Sequence, residues 1–134
     1  MNVHVVDAGH VHKIWPLVEG YIASALEHSK GDYTIEAAKT LVATGQWMLL
    51  VAADENGVHG AATFHMFNRP HDRVAFITAI GGKLITRTEL FNQLKQVFSN
   101  FGATAIEGAV RESIARLWGR IGFEEKYRII GVKI

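Results

Sequence analysis

A chain of 134 residues has the length of one domain, and its 49% of hydrophobic residues excludes a disordered protein. Fourteen basic and thirteen acidic residues leave a net charge of +1, which argues against a partner such as nucleic acid. The sequence has no cysteine, so disulfides, thiolate nucleophiles and cysteine-based zinc sites are excluded. We therefore expect a single domain over residues 1–134, with no membrane span and no signal peptide.

The first third of the chain predicts a strand followed by two helices. Asn2 to Val6 is a short β-rich run. From Ile14 to Leu26, apolar residues recur at the three- and four-residue spacing of one helix face. Pro16 lacks an amide proton and should lie in the first turn of this helix. Thr34 is a candidate N-cap of the second helix, and Gly45 should end it.

The middle of the chain predicts three antiparallel strands. Gln46 to Ala53 is apolar on both faces, as expected of a strand covered from above and below. The pair Asn56-Gly57 supplies the positive φ angles of a tight hairpin, from which a second strand runs to Phe67. After a second turn at residues 68–72, Arg73 to Ile80 is again apolar on both faces. The expected result is an antiparallel meander.

Helical and strand patterns alternate in the last part of the chain. Apolar residues at helical spacing run from Leu90 to Phe101, and Gly102 should end that helix. Ala103 to Val110 is strand-like, Glu112 to Ile121 is helical, and Phe123 to Ile134 predicts a final strand or strand pair. Because a strand–helix–strand unit favours parallel pairing, the first of these strands should lie beside the third meander strand. The fold class is therefore α/β, with a mixed sheet.

The order of elements and one motif resemble the GNAT superfamily of N-acetyltransferases. Leu117 to Phe123 is similar to the family's Leu-Tyr-x-Lys-x-Gly-Phe, in which the last helix turns at a glycine into the closing strands. Gly122 suits the left-handed turn that follows a helix. The resemblance implies a GNAT-like fold for nearly the whole chain, with an antiparallel meander followed by a βαβα segment.

A narrower resemblance is to the short GNAT-like proteins encoded by tailed phages. It is carried by Ile80 to Lys83, Ile106 to Gly108, Arg111 and Trp118, together with Ile14 to Pro16. Some members of that group are carried inside virions. The resemblance implies a location in the virion or the host cytoplasm, and a protein partner from one of them.

The family holds the pyrophosphate of coenzyme A in a glycine-containing loop ahead of a helix. The resemblance places this loop at residues 81–88 and makes Gly81, Gly82, Lys83 and Arg87 the candidate cofactor-binding residues. Helix amides and nearby cations attract phosphate. Their order and spacing differ from the family pattern, however, and a glycine turn with solvated cations explains the same residues. We therefore expect acetyl-CoA to bind weakly or not at all.

The catalytic groups of the family are also altered. The tyrosine that serves as its general acid is replaced by Trp118, whose indole N–H does not ionise at workable pH. Trp118 is more simply explained as a core side chain. Glu107 could instead act as a base toward an amine, and Tyr127 could donate a proton if the chain folds back toward the cleft. The seven histidines lack the spacing of a zinc site, so no metal is expected.

Two functions remain open. The first is a phage-encoded GNAT-like protein with a degraded acetyl-CoA motif, acting as a non-catalytic virion-associated or protein-interaction module. The second is a small active enzyme that transfers an acetyl group from acetyl-CoA to an amine. Trp118 and the altered loop favour the first function. The glycine turn, the nearby cations and Glu107 favour the second.

Overall fold

The computed structural model describes residues 1–29 and 31–134. The described residues form one five-stranded sheet in the order β1-β2-β3-β4-β5. Its strands are β1 (Asn2–Val5), β2 (Met48–Asp54), β3 (Gly57–Asn68), β4 (Arg73–Gly82) and β5 (Ala105–Gly108). The α-helices are α1 (Val11–Leu26), α2 (Ile35–Ala43), α3 (Lys83–Thr86), α4 (Phe91–Asn100) and α5 (Glu112–Gly119).

The sheet is mixed, as the sequence predicts. Strands β1 to β4 pair antiparallel with their neighbours, and β5 pairs parallel with β4. The α/β fold class is therefore confirmed. The predicted glycine turn at Gly81-Gly82 is wrong, because both glycines continue β4 and pair with Ala61 and Gly60 of β3.

Each face of the sheet has its own core. On one face α1 and α2 pack with Trp15, Val18 and Ile22 inward, and on the other face Leu94 and Phe98 of α4 are buried. None of the helices in the described part of the chain is long and apolar enough to cross a membrane.

The starts of α1 and α2 test two predictions made from local chemistry. The Thr34 Oγ1 accepts a hydrogen bond from the Ala37 amide at 3.1 Å, so the predicted cap of α2 is confirmed. Helix α1 begins at Val11, earlier than expected, and contains Pro16 in its interior. Burial of Val11 and Trp15 on the same helix face explains the longer helix, since packing outweighs one lost backbone hydrogen bond.

The predicted final strand over Phe123 to Ile134 is wrong: the structure places no strand in these residues. The Phe123 amide donates to the Trp118 carbonyl at 3.2 Å, with Gly122 between them at a φ of 106°. The predicted turn at Gly122 is therefore confirmed. The residues beyond it have strand-like composition but pair with no strand among the described residues, and composition alone does not form a strand.

Candidate functional site

Strands β4 and β5 separate part-way along the sheet. Their last pair is Ile77 with Gly108, whereas β4 continues to Gly82. The pairing of β3 with β4 shifts register next to Thr78, and such an irregularity bends a strand. The hydroxyls of Thr78 and Thr63 lie 2.7 Å apart at this bend. The bend lies one residue after the last β4–β5 pair, which explains why the strands diverge there.

A cleft of about 280 Å³ lies at this separation. Helix α1 covers one side of it, and the end of β4, α3 and Arg111 form the other sides. The residues that line it are Gly20, Tyr21, Ser24, Ala25, Ile80, Gly81, Gly82, Ile85, Thr86 and Arg111.

The wall formed by β4 exposes backbone hydrogen-bonding groups to the cleft. From Thr78 to Gly82, β4 pairs with β3 on one edge, and within residues 1–29 and 31–134 no strand pairs with the other edge. Along such an edge every second residue points its N–H and C=O away from the paired strand, and these groups need a partner. An extended ligand that contains amides can therefore bond to this edge as an added strand would.

Packing accounts for the two glycines at the end of β4. A Cβ atom on Gly81 would lie 2.7 Å from the Tyr21 carbonyl oxygen, and a Cβ on Gly82 would lie 2.4 Å from the His59 carbonyl oxygen. Gly82 also has a φ of +70°, which side chains rarely adopt. The glycines thus allow α1 and β3 to approach the end of β4. Their predicted contact with phosphate stays a prediction.

One cation, Arg111, lines the cleft, and two more lie at the two ends of α3, which contributes Ile85 and Thr86 to the lining. Lys83 begins α3 and Arg87 follows it, with Arg87 Nη1 3.4 Å from Glu89 Oε1. Arg111 lines the cleft itself and precedes α5, and its Nε donates to the Ser113 hydroxyl at 3.0 Å. Sequence reasoning noted Arg111 among the residues that carry the resemblance to short phage proteins, and not as a candidate site residue. Its place in the lining of the same cleft as the end of β4 could not be read from the sequence.

The two predicted catalytic residues lie together, outside the cleft lining. The guanidinium of Arg69 donates to both carboxylate oxygens of Glu107, at 2.8 and 2.6 Å, and to the Tyr127 hydroxyl at 3.0 Å. Lys126 Nζ donates to the same carboxylate at 3.3 Å. The Glu107 side chain is only 9% exposed. The ion pair accounts for the position of Glu107 and the hydrogen bond for that of Tyr127 without a catalytic role, and their role in catalysis stays a prediction.

The charge on Glu107 is strongly favoured. The hydrogen bonds from Arg69 hold the pKa of its carboxyl below the ordinary value, Lys126 acts in the same direction, and burial opposes them. A carboxylate with a lowered pKa is a weak proton acceptor near neutral pH. Sequence reasoning missed Arg69, because 38 residues separate it from Glu107 and only the fold brings the two side chains into contact.

We expect Glu107→Gln to lower the free energy of unfolding by roughly 1–3 kcal/mol at neutral pH, the usual value of a hydrogen bond to a charged group. A carboxyl whose pKa is lower in the folded state than in the unfolded state stabilises the folded protein at pH values above its pKa in the unfolded state. That stability is lost as pH falls through the lowered value. The difference between wild type and variant should therefore shrink below the ordinary pKa of 4.5. Urea unfolding at several pH values checks this, and a difference that is constant down to low pH would contradict it.

Trp118 is a core residue, as the sequence predicts. It is 4% exposed, and its Nε1 donates to the Ile85 carbonyl at 3.4 Å. Its ring centroid lies 4.9 Å from that of Phe123. Trp118 therefore packs behind α3 and is absent from the residues that line the cleft.

One phenol does line the cleft. Tyr21, on α1, donates its hydroxyl proton to the Val58 carbonyl at 3.2 Å. The helical spacing indicated Tyr21 only as a residue of the buried helix face. Among the residues that the structure describes, no group of three His, Cys, Asp or Glu side chains could hold a metal ion.

Comparison with solved structures identifies the fold. A probable acetyltransferase superposes with a TM-score of 0.69 at 16% identity, over 100% of this chain and 98% of its own. A ribosomal-protein-alanine N-acetyltransferase from Brucella melitensis biovar Abortus 2308 superposes with a TM-score of 0.70 at 13% identity, over 100% of both chains. The chain has the GNAT acetyltransferase fold.

The same fold occurs in a structure with a bound ligand. A predicted acetyltransferase with acetyl-CoA, from Clostridium acetobutylicum, superposes with a TM-score of 0.62 at 12% identity, over 98% of this chain and 95% of its own. No protein-family model matches the sequence, and no curated protein matches it. The likeness to GNAT acetyltransferases is therefore one of structure.

Proposed function

We propose that this chain binds acetyl-CoA in the cleft between β4 and β5 and transfers the acetyl group to an amine. The observation that carries the proposal is the open edge of β4, whose residues Ile80, Gly81 and Gly82 line a cleft of about 280 Å³. The pantetheine arm of coenzyme A contains two amides that can bond to such an edge. The solved acetyltransferase with acetyl-CoA supports this choice of ligand.

The charged residues at the cleft fit the phosphates of the same ligand. Arg111 lies in the cleft wall and Lys83 begins α3 next to it, so both can attract phosphate oxygens. When bound, acetyl-CoA supplies an activated acyl group. Trp118 cannot supply a proton to a leaving group, so this falls to solvent or to the Tyr21 hydroxyl in the cleft.

Calorimetry with acetyl-CoA at low salt tests the ligand. We expect a weak but measurable heat for the wild type, and binding about tenfold weaker or more for Arg111→Ala, because a hydrogen bond to a charged group contributes roughly 1.5–3 kcal/mol. Arg116→Ala is the matched control. Arg116 is exposed on α5 and does not line the cleft, so its variant should bind as the wild type does.

Two outcomes would contradict the proposal. The first is the absence of both heat and thermal shift at millimolar acetyl-CoA. The second is an equal loss of affinity in the Arg111 and Arg116 variants, which would indicate a general effect of charge. Release of free coenzyme A in the presence of a panel of amines then tests the transfer step separately from binding.

The second candidate function is a non-catalytic GNAT-like protein encoded by a phage, with a protein partner in the virion or the host cytoplasm. Burial of Trp118 and the ties of Arg69 to Glu107 and Tyr127 favour it, since they leave Tyr21 as the only phenol at the cleft in the described part of the chain. This function predicts no binding of acetyl-CoA. It also predicts that the protein is found in purified virions or recovered with a host protein.

A further inference from the structure

Three aromatic side chains on β3 and β4 form a cluster of their own. His65 stacks on Phe76, with ring centroids 5.4 Å apart and planes 24° apart. Phe67 lies 5.8 Å from His65 and 6.1 Å from Phe76. All three are half-buried, so part of each ring is open to solvent, and the cores on the two faces of the sheet include neither phenylalanine. We call His65, Phe67 and Phe76 the aromatic cluster.

The register of the sheet places the aromatic cluster on the face that α1 covers. Phe64 and Ile77 pair with each other and are buried in the core on the α4 face. Because successive side chains of a strand point to opposite faces, His65 and Phe76 point to the α1 face. Ile80 is the first residue of β4 in the cleft lining. It follows Phe76 by four residues, which span about 13 Å in a strand.

The charges beside the aromatic cluster decide which kind of amine fits it. The Arg69 guanidinium lies 4.9 Å from the centre of the Phe67 ring. Glu107 pairs in register with Phe76, and both Arg69 and Lys126 bind its carboxylate. Two cations thus contact one carboxylate that is 9% exposed, so this carboxylate is not free to attract further positive charge. The site therefore disfavours a polyamine, whereas an amine with an aromatic ring can stack on the cluster.

The histidine of the aromatic cluster presents a neutral ring. Burial lowers the pKa of His65 below its ordinary value of 6.5, so the imidazole is uncharged at neutral pH. Its surface is then similar to that of the phenyl rings beside it. Aromatic rings associate in offset or edge-to-face arrangements with centroids about 4.5–7 Å apart, the spacing that the three rings already have. A ring of a ligand can extend this arrangement.

We infer that the aromatic cluster binds the ring of a small aromatic amine with a single amino group, and that this amine is the acceptor of the acetyl group. The inference rests on the proposed function. The neutral amine nitrogen attacks the thioester carbonyl carbon of acetyl-CoA, and a C–N bond forms as the C–S bond breaks. The proton that the nitrogen loses passes through solvent to the coenzyme A thiolate. The products are the N-acetyl amine and free coenzyme A.

Acetyl transfer to matched amines tests the class of acceptor. Phenethylamine and cyclohexylethylamine share one carbon skeleton and differ in the aromaticity of the ring. We expect kcat/KM to be at least about fivefold higher for phenethylamine, which is the usual effect of one ring–ring contact, and spermidine to be the poorest acceptor. Phe67→Leu and Phe76→Leu should each lower this preference by about threefold, because each removes one ring and keeps an apolar side chain.

Phe101→Leu is the matched control for these variants. Phe101 is 39% exposed at the end of α4, and its ring packs against Phe64 of the core on the other face. The variant should therefore keep the wild-type preference for phenethylamine. Circular dichroism shows whether each variant is folded. Equal kcat/KM for the two ring-bearing amines in the wild type, or a preference for spermidine, would overturn the inference while acetyl transfer itself stands.

Saturation-transfer NMR with phenethylamine in the absence of coenzyme tests the aromatic cluster without any turnover. The ring protons of phenethylamine should receive saturation from the wild-type protein, and more strongly than the ring protons of cyclohexylethylamine do. No transfer of saturation to phenethylamine would overturn the inference even where acetyl-CoA binds. If phenethylamine binds but acetyl-CoA does not, the proposed function and the acceptor role both fail, and the aromatic cluster remains a site for the ring.

Discussion

Replacing Trp118 by alanine should lower the free energy of unfolding by about 3–5 kcal/mol, the usual cost of removing a buried tryptophan. Its ring is 4% exposed and packs against Phe123, and both side chains contact the apolar cluster on the α4 face of the sheet. Truncation leaves a cavity where the end of α5 meets the sheet. It also removes the donor of the hydrogen bond to the Ile85 carbonyl.

Thermal and urea unfolding measure this effect. For a domain of this size, each kcal/mol corresponds to a fall of roughly 4 °C in melting temperature. Leu17→Ala is a useful control, because Leu17 is 58% exposed and should lose little stability. If Trp118→Ala unfolds at the wild-type temperature, the indole does not belong to the core and a role in ligand binding would have to be reconsidered.

Replacing Gly82 by alanine should lower the free energy of unfolding by roughly 2–6 kcal/mol, from two sources that add. Gly82 has φ and ψ of 70° and −147°, a region that costs other residues about 1–3 kcal/mol. A Cβ there would also lie 2.4 Å from the His59 carbonyl and 2.8 Å from the Gly60 Cα. Because these are backbone atoms, the strands must move apart, and overpacking of this kind costs about 1–3 kcal/mol.

Gly122→Ala separates the two sources. Gly122 also has a positive φ, of 106°, but nothing lies within 4 Å of the Cβ it would gain. The Gly122→Ala variant should therefore bear only the conformational cost of the positive φ. Its free energy of unfolding should fall less than that of Gly82→Ala in the same experiment. Equal losses would contradict the role that we assign to the approach of β3 to β4. A larger loss for Gly122→Ala would contradict it as well.

The cleft lies where contacts elsewhere in the sheet hold β4 and β5 apart. The bend at Thr78 and the start of α5 after Arg111 separate β4 from β5, and both are consequences of pairing and packing elsewhere in the sheet. The open edge between them is preformed, so a ligand need not first break strand pairing. This is why substitutions at Gly82 should affect stability and ligand binding together, whereas Arg111→Ala should affect binding alone.

Local signals in the sequence were enough to predict most of the helices and strands. The Asn56-Gly57 turn and the two-sided apolar strands around it predict the meander, because turn conformation and strand period are properties of neighbouring residues. The same holds for the cap at Thr34, the turn at Gly122 and the burial of Trp118. All of these are confirmed.

The tertiary structure alone decided the contacts between distant residues. The sequence indicates Glu107 and Tyr127 as possible catalytic groups. Only the folded chain brings Arg69 between them, where its guanidinium forms an ion pair with Glu107 and donates a hydrogen bond to Tyr127. Residues 123–134 have the composition of a strand, yet they form none, because strand formation depends on pairing with a distant segment as well as on propensity. Period, caps and turns are short-range properties that a sequence determines by itself, whereas ion pairs, edges and clefts depend on which distant segments the fold places side by side.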